Sequence, residues 1–253
     1  MEVHAHSHTA RKKWTHYFWE FLMLFLAVFC GFLAEYQLEH KIEKDREKQF
    51  IASLVSDLKD DTLNITAHIE NMQKGILLFD TLSILLEAPE AAKTNGEAIY
   101  YTSRMGIRSA PLVNNTRTFD QLKNSGGFRL IRDTGTSGRI MKYYSMFPEL
   151  HMVEGLFNTE NTSFKAVASK IMDHGIYRRQ INPDGSIARI PGNLALLTYD
   201  AGQLRQLGFY AVQMNGSRRG MIPLLQNMKQ SAEELLMYLQ KTYHLSERTH
   251  LEK

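Results

Sequence analysis

The sequence predicts an all-α protein in which one transmembrane helix continues into a long stem helix and then an antiparallel helical bundle. Three observations support this fold class. Residues 21–34, FLMLFLAVFCGFLA, are uninterrupted apolar or small side chains. Apolar residues then recur at spacings of three and four, the period of a helix with one buried face. Only residues 177–190 have a convincingly non-helical pattern.

The apolar segment of 14 residues is shorter than the roughly 20 that cross a bilayer core of about 30 Å. Its flanks supply the difference, because the amphipathic rings of Tyr17 and Tyr36 suit the headgroup level. Glu20 and Glu35 then fall near the two interfaces, where a carboxylate can reach water. We therefore expect a transmembrane helix at 17–36, with the lipid bilayer as its partner.

A cleavable signal peptide is the alternative, since basic residues 11–13 precede the apolar run. However, bulky Phe32 stands where a small-x-small cleavage site ending at Ala34 needs a small residue. Lipidation at Cys30 would likewise need a small residue at Phe29. The sequence thus favours an uncleaved anchor. Lysine and arginine counts on the two flanks do not decide its orientation, and we expect the short tail inside and the domain outside.

One side of the predicted span carries small residues. Glu20, Leu24, Ala27, Gly31 and Ala34 follow a 4-3-4-3 spacing, which puts them on one face of a helix. Ala27 and Gly31 form a small-x-x-x-small pair that lets another helix approach closely. Small residues are also common in membrane helices generally. The hypothesis is therefore self-association or a membrane protein partner.

Composition limits the possible functions. Beyond a basic, histidine-rich tail at 1–16 and the anchor, residues 37–245 suffice for one helical domain, and 246–253 are expected to be frayed. The net charge of +3 includes three basic residues of the tail, so no basic face remains for nucleic acid. The single cysteine, Cys30, excludes disulfides within the chain and cysteine zinc sites.

The elements after the anchor are expected in this order. The stem helix extends to about Glu87, and Pro89 ends it, with residues 88–96 as a loop. Short helices follow at 97–106 and 116–124, the second capped by Thr118 and ended by Gly126 and Gly127. A helix from Thr136 or Ser137 to His174 is kinked or split by Pro148.

Two features complete the chain. Asn182-Pro183-Asp184-Gly185 is a turn sequence, which predicts a small hairpin or an extended loop of similar shape at 177–190. Asp200 is expected to cap a last long helix to about Tyr243, with a bend caused by Gly216, Gly220 and Pro223.

Three blocks in this order, EFLMLFLAVFCGFLAE, REKQFIASLVSDLKDDT and TFDQLKNSGGFRLI, resemble a family of uncharacterised single-span membrane proteins of Bacteroidetes-type bacteria. The resemblance covers most of the chain. It implies an N-terminal membrane helix plus a helical domain, and it implies no activity, cofactor or partner. We expect the membrane to be the bacterial inner membrane.

Four groups could carry chemistry, and each has an ordinary structural explanation. Gly126 and Gly127 could offer amides to an anion, but they lack the lysine and the preceding strand of a phosphate loop. His151 and Glu154 have the spacing of a di-metal site, which needs a second such pair. Residues 57, 60 and 61 are aspartates on a helix, without a calcium-binding loop. Histidines 4, 6 and 8 would share a side only in an extended strand.

The basic pairs Arg178-Arg179 and Arg218-Arg219 are the best candidates for contact with an anionic ligand or partner, although they could equally be solubility residues. No catalytic, metal or cofactor residues are predicted, and the chain is not expected to be an enzyme. The favoured function is a membrane-anchored interaction module of the bacterial envelope. The alternative is an extracytoplasmic small-ligand sensor that signals through a membrane partner, and an envelope enzyme ranks last.

Overall fold

A computed structural model describes residues 14–245, and the all-α prediction is confirmed there. The predicted tail before residue 14, including its histidines, and the predicted frayed end at 246–253 lie outside the described residues. Contacts divide the chain into two compact units between Phe50 and Ile51. The first unit holds the apolar segment, and the second holds the bundle.

Helix α1 covers Trp14–Leu85, so the predicted span and stem form one continuous helix. The other helices are α2, Pro89–Thr94; α3, Gly96–Gly106; α4, Arg117–Asn124; α5, Thr134–Tyr144; α6, Phe147–Ile171; α7, His174–Arg179; and α8, Ala201–Thr242. A 3-10 turn, Gly127–Leu130, lies between α4 and α5.

Helices α1, α6 and α8 supply much of the core of the second unit. Leu86, the residue after α1, lies beside Gly208 of α8, whereas Ile76 of α1 accepts a hydrogen bond from Asn215, so the two helices are antiparallel. Phe79 of α1 contacts Phe164 of α6, with 5.1 Å between ring centroids. The predicted stripe is buried at Ile51, Leu54, Leu58, Ile65, Met72, Ile76 and Phe79.

Two predicted details of the first connections were wrong. Residues 88–96 are not simply a loop, because Pro89 begins α2, a position where its missing N–H costs nothing. Thr118 does not cap α4, whose N-cap residue is Thr116. The hydroxyl of Thr118 instead donates to Asp57 of α1, at 2.5 Å.

The end of α4 is as expected. Gly126 has φ 67°, the left-handed conformation that terminates a helix, and Gly127 starts the 3-10 turn. Gly96, at the start of α3, allows a close approach: a Cβ there would lie 1.7 Å from the carbonyl oxygen of Leu194. The Gly96 N–H donates to Asn193, which ties this helix end to the loop after α7.

Aspartate caps set three helix starts. Asp133 accepts from Thr136 N at 2.8 Å, so α5 begins at Thr134, two or three residues before the predicted start at Thr136 or Ser137. Hydrogen bonds from Thr136 and Tyr238 lower the pKa of Asp133 to about 2. Asp173 caps α7, and Asp200 caps α8 as predicted.

Pro148 splits the long predicted helix. It lies in the first turn of α6, and α5 ends before it at Tyr144. The second part ends at Ile171 rather than His174, because Asp173 starts a new helix.

The region 177–190 is only partly as predicted. Helix α7 extends through Arg179, and a single bridge joins Ile181 to Ile187 in place of a hairpin ladder. The turn itself is present: Gly185 donates to Asn182 O at 2.9 Å and has φ 79°. Helix α8 runs through Pro223, and the predicted bend stays a prediction.

Candidate functional site

The predicted packing face of the membrane segment is exposed throughout. Glu20, Leu24, Ala27, Gly31 and Ala34 all lie on the surface of α1, and a Cβ added at Gly31 would meet nothing within 4 Å. The side chains on the other sides of this segment are exposed as well. Exposure alone therefore does not set the small-residue face apart from the rest of the segment.

A ladder of aromatic rings runs along another side of the same segment. Phe21, Phe25 and Phe29 stack in sequence, with centroids 6.2 Å and 5.9 Å apart. At 3.6 residues per turn, Phe29 lies on nearly the opposite side from Ala27 and Gly31. The segment therefore has a bulky aromatic side and a small-residue side.

The two predicted basic pairs differ in their surroundings. Arg178 and Arg179 are exposed at the end of α7. Arg218 and Arg219 point in different directions, because successive helical residues are about 100° apart. Arg219 is exposed and donates to Asp80 of α1 at 2.8 Å, while Arg218 is only 2% exposed.

Within residues 14–245, Arg218 is a buried cation without a carboxylate partner. Its guanidinium lies between two rings, 5.0 Å from the centroid of Phe79 and 4.9 Å from that of Phe157. Its Nη2 donates to Gly106 O, and its Nη1 has no protein partner. Burial lowers the pKa of Arg218 to about 10, so the group stays charged at neutral pH.

A cleft of about 870 Å³ opens in the second unit near this arginine. Its walls come from α1, the end of α3 and the segment after it, α6, and residues 185–187 at the end of the turn. Three cationic side chains line it, Lys74, Arg108 and Lys165, and its lining includes no carboxylate. This concentration of positive charge is the clearest ligand-like feature of the described residues.

A smaller cavity of about 170 Å³ shares Ser109 with the cleft as a lining residue. His68 and Glu154 line it. Burial lowers the pKa of His68, against the opposing effect of Glu154, and its Nε2 has no protein partner. At neutral pH the imidazole is therefore uncharged, and the cavity that it lines is large enough to hold water. Glu154 and His151 do not join a metal cluster within residues 14–245.

Two of the three aspartates considered for calcium are buried structural groups. Asp57 accepts from Arg117 Nη2 at 3.2 Å and from Thr118. Asp61 accepts from Asn115 N and from Tyr143 Oη, both at 2.8 Å. Together they hold the start of α4 against α1, and the exposed Asp60 takes no part.

Burial shifts the titration of this cluster. Desolvation raises the pKa of Asp61, although its two hydrogen bonds oppose the shift. The pKa of Tyr143 rises as well, first through burial and then through the nearby Asp61. Tyr143 is therefore a hydrogen-bond donor to Asp61 at physiological pH.

Comparison with known proteins does not place this chain in a family. The chain matches no family model, and no curated protein or solved structure is detectably similar to it. The resemblance to single-span proteins of Bacteroidetes-type bacteria consequently stays a prediction. The features of the molecule that bear on its function are the apolar segment, the buried arginine and the basic cleft.

Proposed function

We propose that this protein is a membrane-anchored helical module that contacts other proteins of the bacterial envelope and has no chemistry of its own. One observation carries the proposal: α1 contains an 18-residue window apolar enough to span a membrane, and none of that window is buried. Exposed apolar surface of this size marks a membrane or protein contact. The proposal includes an inner-membrane location, with a cytoplasmic N-terminus and a periplasmic domain.

Extraction of membranes with alkaline carbonate tests the anchor. We expect the protein to stay in the membrane pellet, because a spanning helix is removed only by detergent. A variant lacking residues 17–36 should appear in the soluble fraction. Release of the intact chain by carbonate, or a mature chain that begins after residue 36, would contradict the anchor.

Substitution of Gly31 tests the membrane contact. We expect Gly31→Ile to lower the oligomeric mass in mild detergent, or to remove a co-purifying membrane protein, since a branched side chain keeps helices apart. Phe29→Ile, on nearly the opposite side, is the control and should leave the assembly intact. Light scattering after gel filtration gives the mass. If Gly31→Ile has the same mass and the same co-purifying proteins as the unmodified chain, the packing hypothesis is wrong.

A second candidate function, small-ligand sensing, is supported by the cleft of about 870 Å³. Ligand sites typically occupy 300–1,000 Å³, so the cleft has a suitable size. In this second candidate function the signal passes through a membrane partner.

A further inference from the structure

The cleft gathers cations from parts of the chain that are far apart in sequence. Lys74 is on α1, Arg108 follows α3, and Lys165 is on α6. Within the described part of the chain, none of the three side chains has an ion-pair partner. Like charges around one space repel each other and attract a counter-ion.

A fourth positive charge lies directly behind the cleft wall. Gly75 lines the cleft, and a Cβ built on it would be 2.8 Å from Cζ of Arg218. Gly75 therefore lies against both the cleft and the buried guanidinium, whose Nη1 has no hydrogen-bond partner among the described residues. A buried charge is ordinarily compensated by an opposite one, which Arg218 lacks among the described residues.

Three acidic residues directly precede lining residues in sequence: Glu70, Glu160 and Asp184. Glu160 accepts a hydrogen bond from Ser217 Oγ at 2.8 Å. Asp184 precedes the cleft-lining Gly185, and its Oδ1 accepts from both Ser186 N at 2.9 Å and Ser186 Oγ at 2.7 Å. These bonds lower the pKa of Asp184. Asp184 serves the turn that forms one wall, and it is not a cleft-lining residue.

We propose that this cleft binds a small, multiply charged oxyanion, an organic phosphate or a polycarboxylate, through Lys74, Arg108 and Lys165. Its volume exceeds that of a single inorganic ion, and the walls add the apolar side chains of Leu78 and Ile187. The ligand thus carries at least two anionic groups on a compact carbon frame. This inference deepens the second candidate function and does not depend on the membrane anchor.

Calorimetric titration of the full chain in neutral detergent tests the proposal, with pyrophosphate and citrate as probes at constant ionic strength. We expect saturable binding of at least one probe and weaker binding at higher salt. Lys165→Gln should weaken that binding by about tenfold, the factor that corresponds to ~1.4 kcal/mol. A hydrogen bond to a charged group commonly contributes about this much or more.

Lys170→Gln is the matched control, because Lys170 is exposed on the same helix and lies outside the cleft lining. It should bind the probe as the unmodified protein does. If neither probe binds saturably, the proposal is overturned. It is also overturned if Lys165→Gln and Lys170→Gln change the affinity for the probe equally. A chain that resists carbonate extraction yet binds neither probe would overturn the cleft proposal alone.

Discussion

Replacing Arg218 by alanine is expected to lower the free energy of unfolding by about 2–4 kcal/mol, the range for truncating a large buried side chain. The substitution empties the space between Phe79 and Phe157 and leaves the Gly106 carbonyl without its donor. Unfolding of the full chain in detergent can be followed by the near-ultraviolet dichroism of buried tyrosines, since both tryptophans lie in the first unit.

Arg218→Met separates the packing of this side chain from its charge. Methionine fills much of the same space and avoids the cost of burying an unpaired cation. We therefore expect it to recover most of the stability lost in Arg218→Ala. If methionine were as destabilising as alanine, the charge itself would be required, and the packing explanation would be wrong.

Arg219→Ala is the control at the adjacent position. Arg219 is exposed, and its ion pair with Asp80 is of the surface kind that contributes about 0–1 kcal/mol. The two neighbouring arginines should thus differ by severalfold in their effect on stability. Similar losses in Arg218→Ala and Arg219→Ala would contradict the buried placement of Arg218.

The order of the main helices was predictable because the periodicity and the capping residues of each helix are visible in its own stretch of sequence. The stripe that includes Leu54, Leu58 and Ile65 has the helical period, and Asp200 precedes the last helix in the position of a cap. The short helices were less predictable, since the same proline that ends one helix can begin the next. Pro89 was therefore interpreted as a break when it is the first residue of α2.

The cleft could not be predicted from the sequence, because its cations are separated by dozens of residues and meet only through packing of α1 against α6. The burial of Arg218 did have a signal. Met214, Arg218 and Met221 follow the four-then-three spacing of the inner face of α8. Arg218 and Arg219 are adjacent in sequence but about 100° apart around α8, so the helical period, and not adjacency, indicates which of them is buried.

The buried carboxylate of Asp61 gives the second large effect, because Asp61→Ala removes the acceptor for two donors at once. The Asn115 N–H and the Tyr143 hydroxyl would both be left unpaired, and each unpaired buried group costs about 1–3 kcal/mol. We expect a net loss of about 3 kcal/mol, measured by denaturant unfolding. Asp60→Ala, at the exposed neighbouring position, should change stability by less than about 0.5 kcal/mol.

Asp61→Asn adds a pH test of the same site. Because burial raises the folded-state pKa of Asp61 above 3.8, the folded protein binds this proton more tightly than the unfolded chain does. The resulting stability is fully present below 3.8 and is lost as pH rises through the raised folded value. Asparagine does not titrate, so the destabilisation caused by Asp61→Asn should be larger near the unfolded-state pKa than at neutral pH. A destabilisation that shrinks on acidification would mean that hydrogen bonds to Asn115 and Tyr143 outweigh desolvation and hold the carboxylate ionised.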